Sequence, residues 1–170
     1  MPNARNSASQ QLRPEDFNIA SLADELRADR LCQELLQDFH RYLLEENTVQ
    51  PLEAGTLARG TDYFLRDFVI DTLRTSIFAV AADQVRGFAG NWYIHRSLEP
   101  NLAELLAILE GVAAFYRFSA VHGWIDQARM TAIAGSCADV EFYRERIESF
   151  HQLAGDDYPV WCRQCPLSSP

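Results

Sequence analysis

The chain contains no lysine; all 15 of its basic residues are arginine. That absence removes Schiff-base chemistry on a lysine amine, the lysine of a phosphate-binding loop and a lysine general base. Positive charge is scarce as well. The 24 acidic residues outnumber the arginines and give a formal net charge of -9, a balance that disfavours phosphate backbones and anionic membrane surfaces. No apolar run approaches the length of a membrane span. The opening "MPNARNSASQQLRPED" lacks the apolar stretch of a secretory signal. The four cysteines, Cys32, Cys137, Cys162 and Cys165, are therefore expected to be reduced thiols of a cytoplasmic protein. No segment alternates apolar and polar residues as a half-buried strand would, and no hairpin turn, internal repeat or heptad array is found.

What the chain does have is helical periodicity. With 170 residues, 48% of them hydrophobic, it can bury roughly 70% of its unfolded surface and needs neither disulfide nor metal to fold. A first helix starts at Ser21, which can cap it with Asp24 three residues on; Leu22 and Leu26 open an apolar stripe that Leu35, Phe39, Tyr42 and Leu43 continue. The pattern fades at Asn47, and Pro51 marks the stop. A second helix is expected over about 56–75. A third covers about 79–92, where Gly87 and Gly90 give another helix room to come close. The fourth, "NLAELLAILEGVAAFYRFSAVHGWID", is apolar enough to be central, and Gly123 is its natural stop. Two further helices are expected, from Asp126 to Gly135 and over about 139–153. The expectation is an all-α, single-domain bundle of about six helices over residues 21–155. A flexible arm, 1–20, precedes it with a short docked piece at Phe17 and Ile19, and an extended tail, 156–170, follows.

The tail carries "WCRQCP". Two thiolates spaced as Cys162 and Cys165 are can take adjacent corners of a zinc tetrahedron. His151, Cys137 and Cys32, or the same pair from a second chain, are the candidate remaining ligands. No other cofactor is expected. Glu148 and His151 share the i, i+3 spacing of di-iron bundles, but without a second such pair they read as a solvated helix face. Asp62, Asp67 and Asp71 interleave with Arg66 and Arg74, so ion pairs along one helix explain them. Ser136 and Cys137 in "AGSCAD" follow no strand and make no nucleophile elbow. No catalytic residue is assigned. Trp92, Tyr93 and Arg96, at the end of the third helix, form a candidate interface anchor; the competing role for Trp92 is to plug the end of the bundle.

The order "LLQDFHRYLLEENTV", "QVRGFAGNWYI" and "NLAELLAILEGVAAFYRFSAVHGWI" resembles the SAM-like, four-helix core-binding domain of tyrosine recombinases (phage integrases), over about Leu31 to Ile125. The residues that carry the resemblance are Leu105, Leu109, Val112, Phe115, Tyr116, Phe118, Gly123 and Ile125. It implies a DNA-clamping helical module, with Arg59, Arg66, Arg74 and Arg117 as the candidate phosphate contacts. The family's catalytic arginines, histidine and tyrosine nucleophile have no counterpart in this sequence, so recombinase activity is not implied. Acidic residues stand beside each of those arginines, with Glu104 and Glu110 set against Arg117. The leading expectation is thus a non-enzymatic interaction or regulatory module that self-associates or binds a protein partner. A DNA-associated module and a structural zinc protein are the alternatives.

Overall fold

The computed structural model describes residues 12–168. Positions 1–11 of the expected arm and 169–170 of the expected tail lie outside the described residues. Within them the fold is all-helical, with seven helices and no strand. A 3-10 turn (Pro14–Phe17) leads into α1 (Leu22–Glu45). Next comes α2 (Pro51–Asp62), prolonged by a wider π-helical stretch (Tyr63–Thr72). The third helix, α3 (Ala82–Gly87), continues through a second π-helical stretch (Phe88–Trp92) and a last α turn (Tyr93–Arg96). The remaining helices are α4 (Leu102–Val121), α5 (Gln127–Cys137), α6 (Val140–His151) and α7 (Tyr158–Arg163). No helix among the described residues is long and apolar enough to cross a membrane.

Local chemistry explains most boundaries. Ser21 Oγ accepts the Asp24 N–H at 3.2 Å, and Asp24 reaches back to the Ala20 N–H at 3.0 Å, so two unpaired donors at the start of α1 are satisfied together. Gly123, with φ of 75°, ends the turn after α4. Pro51 does not merely stop the first helix; it is the first residue of α2, where its missing N–H would have had no partner. The second helix accordingly begins earlier than about 56 and carries Gly55 inside it. Leu22 and Leu26 are 67% and 65% exposed. The buried series Ala28, Cys32, Leu35, Phe39 and Leu43 extrapolates backward to Glu25, on another face from those two leucines.

The centre of the molecule is the crossing of α2 and α4, the most extensive helix pair. α4 is buried on nearly every side, from Leu105 through Leu109 and Val112 to Phe118. Two glycines set how close the helices come. A Cβ on Gly60 would lie 2.8 Å from Ile108 Cα, and one on Gly111 would lie 2.8 Å from Thr61 Oγ1 and closer still to the Leu57 carbonyl. The π-helical stretches face each other across an aromatic cluster, with Phe64 5.0 Å and Phe68 5.3 Å from Phe88, and Phe68 5.4 Å from Trp92. The wider turn also brings Ile70 into the core beside Phe68 and Val69.

Both ends of the described chain dock onto this core. Phe17 is fully buried edge-on against Phe78, and Arg27 holds the segment by donating to the Asp16 carbonyl. The expected extended tail is corrected to a short helix, α7. Its Trp161 is buried and its first turn holds Pro159, where the ring is tolerated.

Candidate functional site

A cleft of about 440 Å³ opens where α2, the end of α3 and the start of α4 meet, walled by Arg59, Asp62, Tyr63, Asp67, Tyr93 and Glu104. The helices fix these groups directly. α2 carries Arg59 and Asp62 on successive turns, and the π-helical stretch adds Tyr63 and Asp67. Asn101 caps α4 by accepting the Glu104 N–H at 2.8 Å, which sets the Glu104 carboxylate in the first turn. There it accepts a 2.6 Å hydrogen bond from the Tyr93 hydroxyl, which in turn accepts from the Asn101 N–H at 3.3 Å. Tyr93 itself is buried and lines the cleft from within the core.

The electrostatics are uneven. Partial burial pushes the Asp67 carboxyl above the usual range, and the neighbouring charges of Asp62 and Asp71 push the same way; Arg66 and Arg96 offset only part of this. Burial raises the Tyr63 phenol as well. Burial first, and then the bond to Glu104, pushes Tyr93 up to about 12. Arg66 is committed elsewhere, gripping Asp29 of α1 at 2.7 Å and Asp62 at 3.2 Å. Arg59 makes no ion pair among the described residues. It stands with Asp62 on the ridge between this cleft and a shallower depression of about 520 Å³ toward Gln33, Gln37 and His40. The cleft can therefore discriminate by charge and hydrogen bonding. Its walls hold no histidine, serine–histidine or cysteine–histidine pair to activate a nucleophile.

A second polar constellation lies at the C-terminal segment. Arg146 of α6 is only 6% exposed. Its guanidinium donates to the Gly90 carbonyl at 2.8 Å, the Trp161 carbonyl at 2.8 Å and Gln164 Oε1 at 3.3 Å, and stacks 3.8 Å from the Trp161 ring. No carboxylate pairs with it among the described residues. Asn91 Nδ2 donates to both the Cys162 and Cys165 carbonyls, at 3.3 Å and 2.8 Å. These groups clasp α7 and the turn after it onto α3.

The residues singled out from the sequence fall into three sets. Cys165, in the turn after α7, is buried against Gly90, and Cys162 of α7 is half-buried; Cys137 is a buried residue of α5, Cys32 a buried residue of α1, and His151 is exposed beside Phe150. No group of three or more His, Cys, Asp or Glu gathers to hold a metal among the described residues, so Cys162 and Cys165 gain no third ligand from them. Burial pushes the Cys137 thiol up to about 12 and the Cys32 thiol further. The interface set is corrected. Trp92 is 2% exposed and Tyr93 is buried, both packed into the aromatic cluster, leaving Arg96 on the surface with its guanidinium 4.6 Å over the Trp92 ring. The arginine set is dispersed: Arg66 lies between two aspartates, Arg74 pairs with Glu25 at 3.4 Å, and Arg59 and Arg117 stand on different helices.

Sequence reasoning missed Arg146, Asn91 and the Tyr93–Glu104 bond. A signal for the first did exist. Arg146 sits three residues after Tyr143 and four before Phe150, an arginine on an otherwise apolar face. Neither the protein-family models, nor the curated proteins, nor the solved structures yield a match to this chain.

Proposed function

We propose that the protein is a non-enzymatic interaction module that receives a basic side chain of a partner protein in the cleft between α2, α3 and α4. The observation that carries this reading is the acidic lining of the cleft: Asp67, exposed at its wall with its carboxyl pushed above the usual range, is flanked by Asp62 and stands opposite Glu104, while Arg66 is turned toward Asp29. A guanidinium or ammonium entering there would offset the burial and the like-charge repulsion together. The half-buried Tyr63 ring offers such a cation a face. A concave site with a few convergent polar groups and a perturbed carboxyl is where recognition is first sought. The net charge of -9 draws basic partners from a distance. A second copy of the chain is one such partner, since Arg30 and Arg163 are exposed.

The dispersed and paired arginines lend the DNA-associated alternative no support, and the isolated Cys162–Cys165 pair lends little to a structural zinc role.

Titration of the full chain into a fluorescent, arginine-rich peptide at low salt tests the proposal. Saturable binding is expected, weakened by added salt and about tenfold by the pair Asp67→Asn and Glu104→Gln. Absence of binding at low salt, or binding indifferent to both substitutions, would sink it. Sedimentation across a concentration series tests self-association separately.

A further inference from the structure

The Cys-x-x-Cys segment is independent of the cleft and has its own geometry. The Cys165 N–H donates to the Cys162 carbonyl at 3.3 Å, closing a one-turn step that stacks the two side chains on one side. Both thiols are free. Cys165 Sγ fills the space left by the absent side chain of Gly90, where a Cβ would lie 2.8 Å from it, and donates to the Arg86 carbonyl at 3.4 Å. Cys162 is half-buried, with its sulfur 4.0 Å from Asn91 Oδ1. The thiols thus sit one turn apart, and the buried one also serves as a peg that docks the segment on α3.

We propose that Cys162 and Cys165 form a reversible intrachain disulfide by exchange with a low-molecular-weight disulfide, and that forming it withdraws Cys165 from Gly90 and loosens the C-terminal clasp. Side chains one helical turn apart have Cβ atoms about 5–6 Å apart, whereas a disulfide needs about 3.5–4.5 Å. The turn must tighten, and the Cys165 sulfur cannot keep both its slot and its bond to Arg86. Asn91, which holds both cysteine carbonyls, then loses its fit.

The exchange balances. The more accessible Cys162, as thiolate, attacks one sulfur of the small disulfide, forming a mixed disulfide and releasing one small thiolate. Cys165, having lost its proton to solvent, attacks the Cys162 sulfur and expels the second small thiolate. Two protein thiols are oxidised by two electrons, the small disulfide is reduced to two thiols, and the two protons lost by the protein end on those leaving groups. Burial pushes the Cys165 thiol up while the guanidinium groups of Arg146 and Arg86 offset part of that, which suits it to the second, resolving role.

The test uses the full chain equilibrated with reduced and oxidised glutathione. Alkylation and peptide mass analysis should show one Cys162–Cys165 bridge with Cys32 and Cys137 still reduced. Proteolysis between Leu153 and Tyr158 should become about tenfold faster in the oxidised form, tracking the open population. Cys162→Ser leaves the Cys165 peg in place and should show neither the bridge nor the glutathione-dependent cleavage. A pair that stays reduced, a mixed disulfide that never resolves, or a bridged chain whose tail is cleaved no faster would each overturn the proposal.

Discussion

The α2–α4 crossing and the C-terminal clasp solve the same problem by opposite means. In each, glycines let another part of the chain come close: Gly60 and Gly111 at the crossing, Gly87 and Gly90 at the clasp. At the crossing the gap is closed by backbone and aliphatic atoms, and the one polar side chain, Thr61, bonds within its own helix to the Leu57 carbonyl at 2.8 Å. At the clasp the Pro166–Leu167 backbone lies against Gly87 and the Cys165 sulfur against Gly90, but the contact is held by polar side chains: Arg146, Asn91 and Cys165 each donate to main-chain carbonyls. The first contact is non-directional and shared among many atoms, so it loosens only when the whole bundle does. The second depends on a few directional bonds around a desolvated cation, and it fails abruptly when one is lost. The difference assigns global stability to one region and local opening to the other.

Gly111→Ala is the largest way to break that comparison. The new methyl meets the Leu57 carbonyl and Thr61 Oγ1, neither of which can yield without moving α2. A loss of about 3 kcal/mol is expected, which for a chain of this size lowers Tm by roughly 6–12 °C in calorimetry. An unchanged Tm would mean that the helices are not in backbone contact. Arg146→Ala comes next. It strands the Gly90 and Trp161 carbonyls and removes the stack on Trp161, a local loss of about 2 kcal/mol. The expected readout is rapid proteolysis ahead of α7 and a changed Trp161 emission, with a smaller fall in Tm than Gly111→Ala gives. Equal falls in Tm would erase the distinction between the two regions.

The crossing was the legible half of this molecule. Its apolar residues recur every three or four positions in α4, and periodicity reports burial whenever burial is apolar. The clasp was illegible because its bonds join residues 15 to 74 positions apart through arginine and asparagine side chains, which the sequence presents as surface chemistry. Trp92 and Tyr93 illustrate the same limit. An aromatic pair beside an arginine has the composition of an interface anchor whether it faces solvent or, as here, the core. The cleft was half legible. The acidic run Asp62, Asp67 and Asp71 stood out, and Arg66 does pair with Asp62 as helix spacing suggested, but the stronger grip of Arg66 on Asp29 comes from α1. That tertiary bond is what leaves Asp67 short of a cation. The π-helical stretch that sets Asp67 at the cleft leaves no mark in the pattern of residue types.

Tyr116→Phe separates directional from non-directional support inside the core itself. The Tyr116 hydroxyl is fully buried and donates to the Ile77 carbonyl at 2.8 Å. Its removal leaves the ring packing intact and one carbonyl unpaired, so a loss of about 1 kcal/mol is expected in urea unfolding. A loss as large as that of Gly111→Ala would place the bundle's stability in polar bonds after all.

The smallest effect is expected at Asp67, and its sign is the informative part. The folded protein holds the Asp67 proton more tightly than the unfolded chain does, because burial and the charges of Asp62 and Asp71 disfavour the carboxylate. Below the ordinary carboxylate range both states are protonated and the residue is neutral in the balance. As pH rises from that range through the raised folded value, the folded state loses stability relative to the same chain with an uncharged side chain. Asp67→Asn should therefore stabilise at neutral pH, by no more than about 0.5 kcal/mol because the group is largely solvated, and the gain should vanish in acid. Urea midpoints measured at the two pH values check this. Asp67→Asn alone should also weaken the arginine-rich peptide, although less than the double substitution does. A carboxylate whose removal strengthens the fold and weakens recognition is kept for recognition, whereas a loss of stability at neutral pH would return Asp67 to the ordinary surface ion pairs of α2.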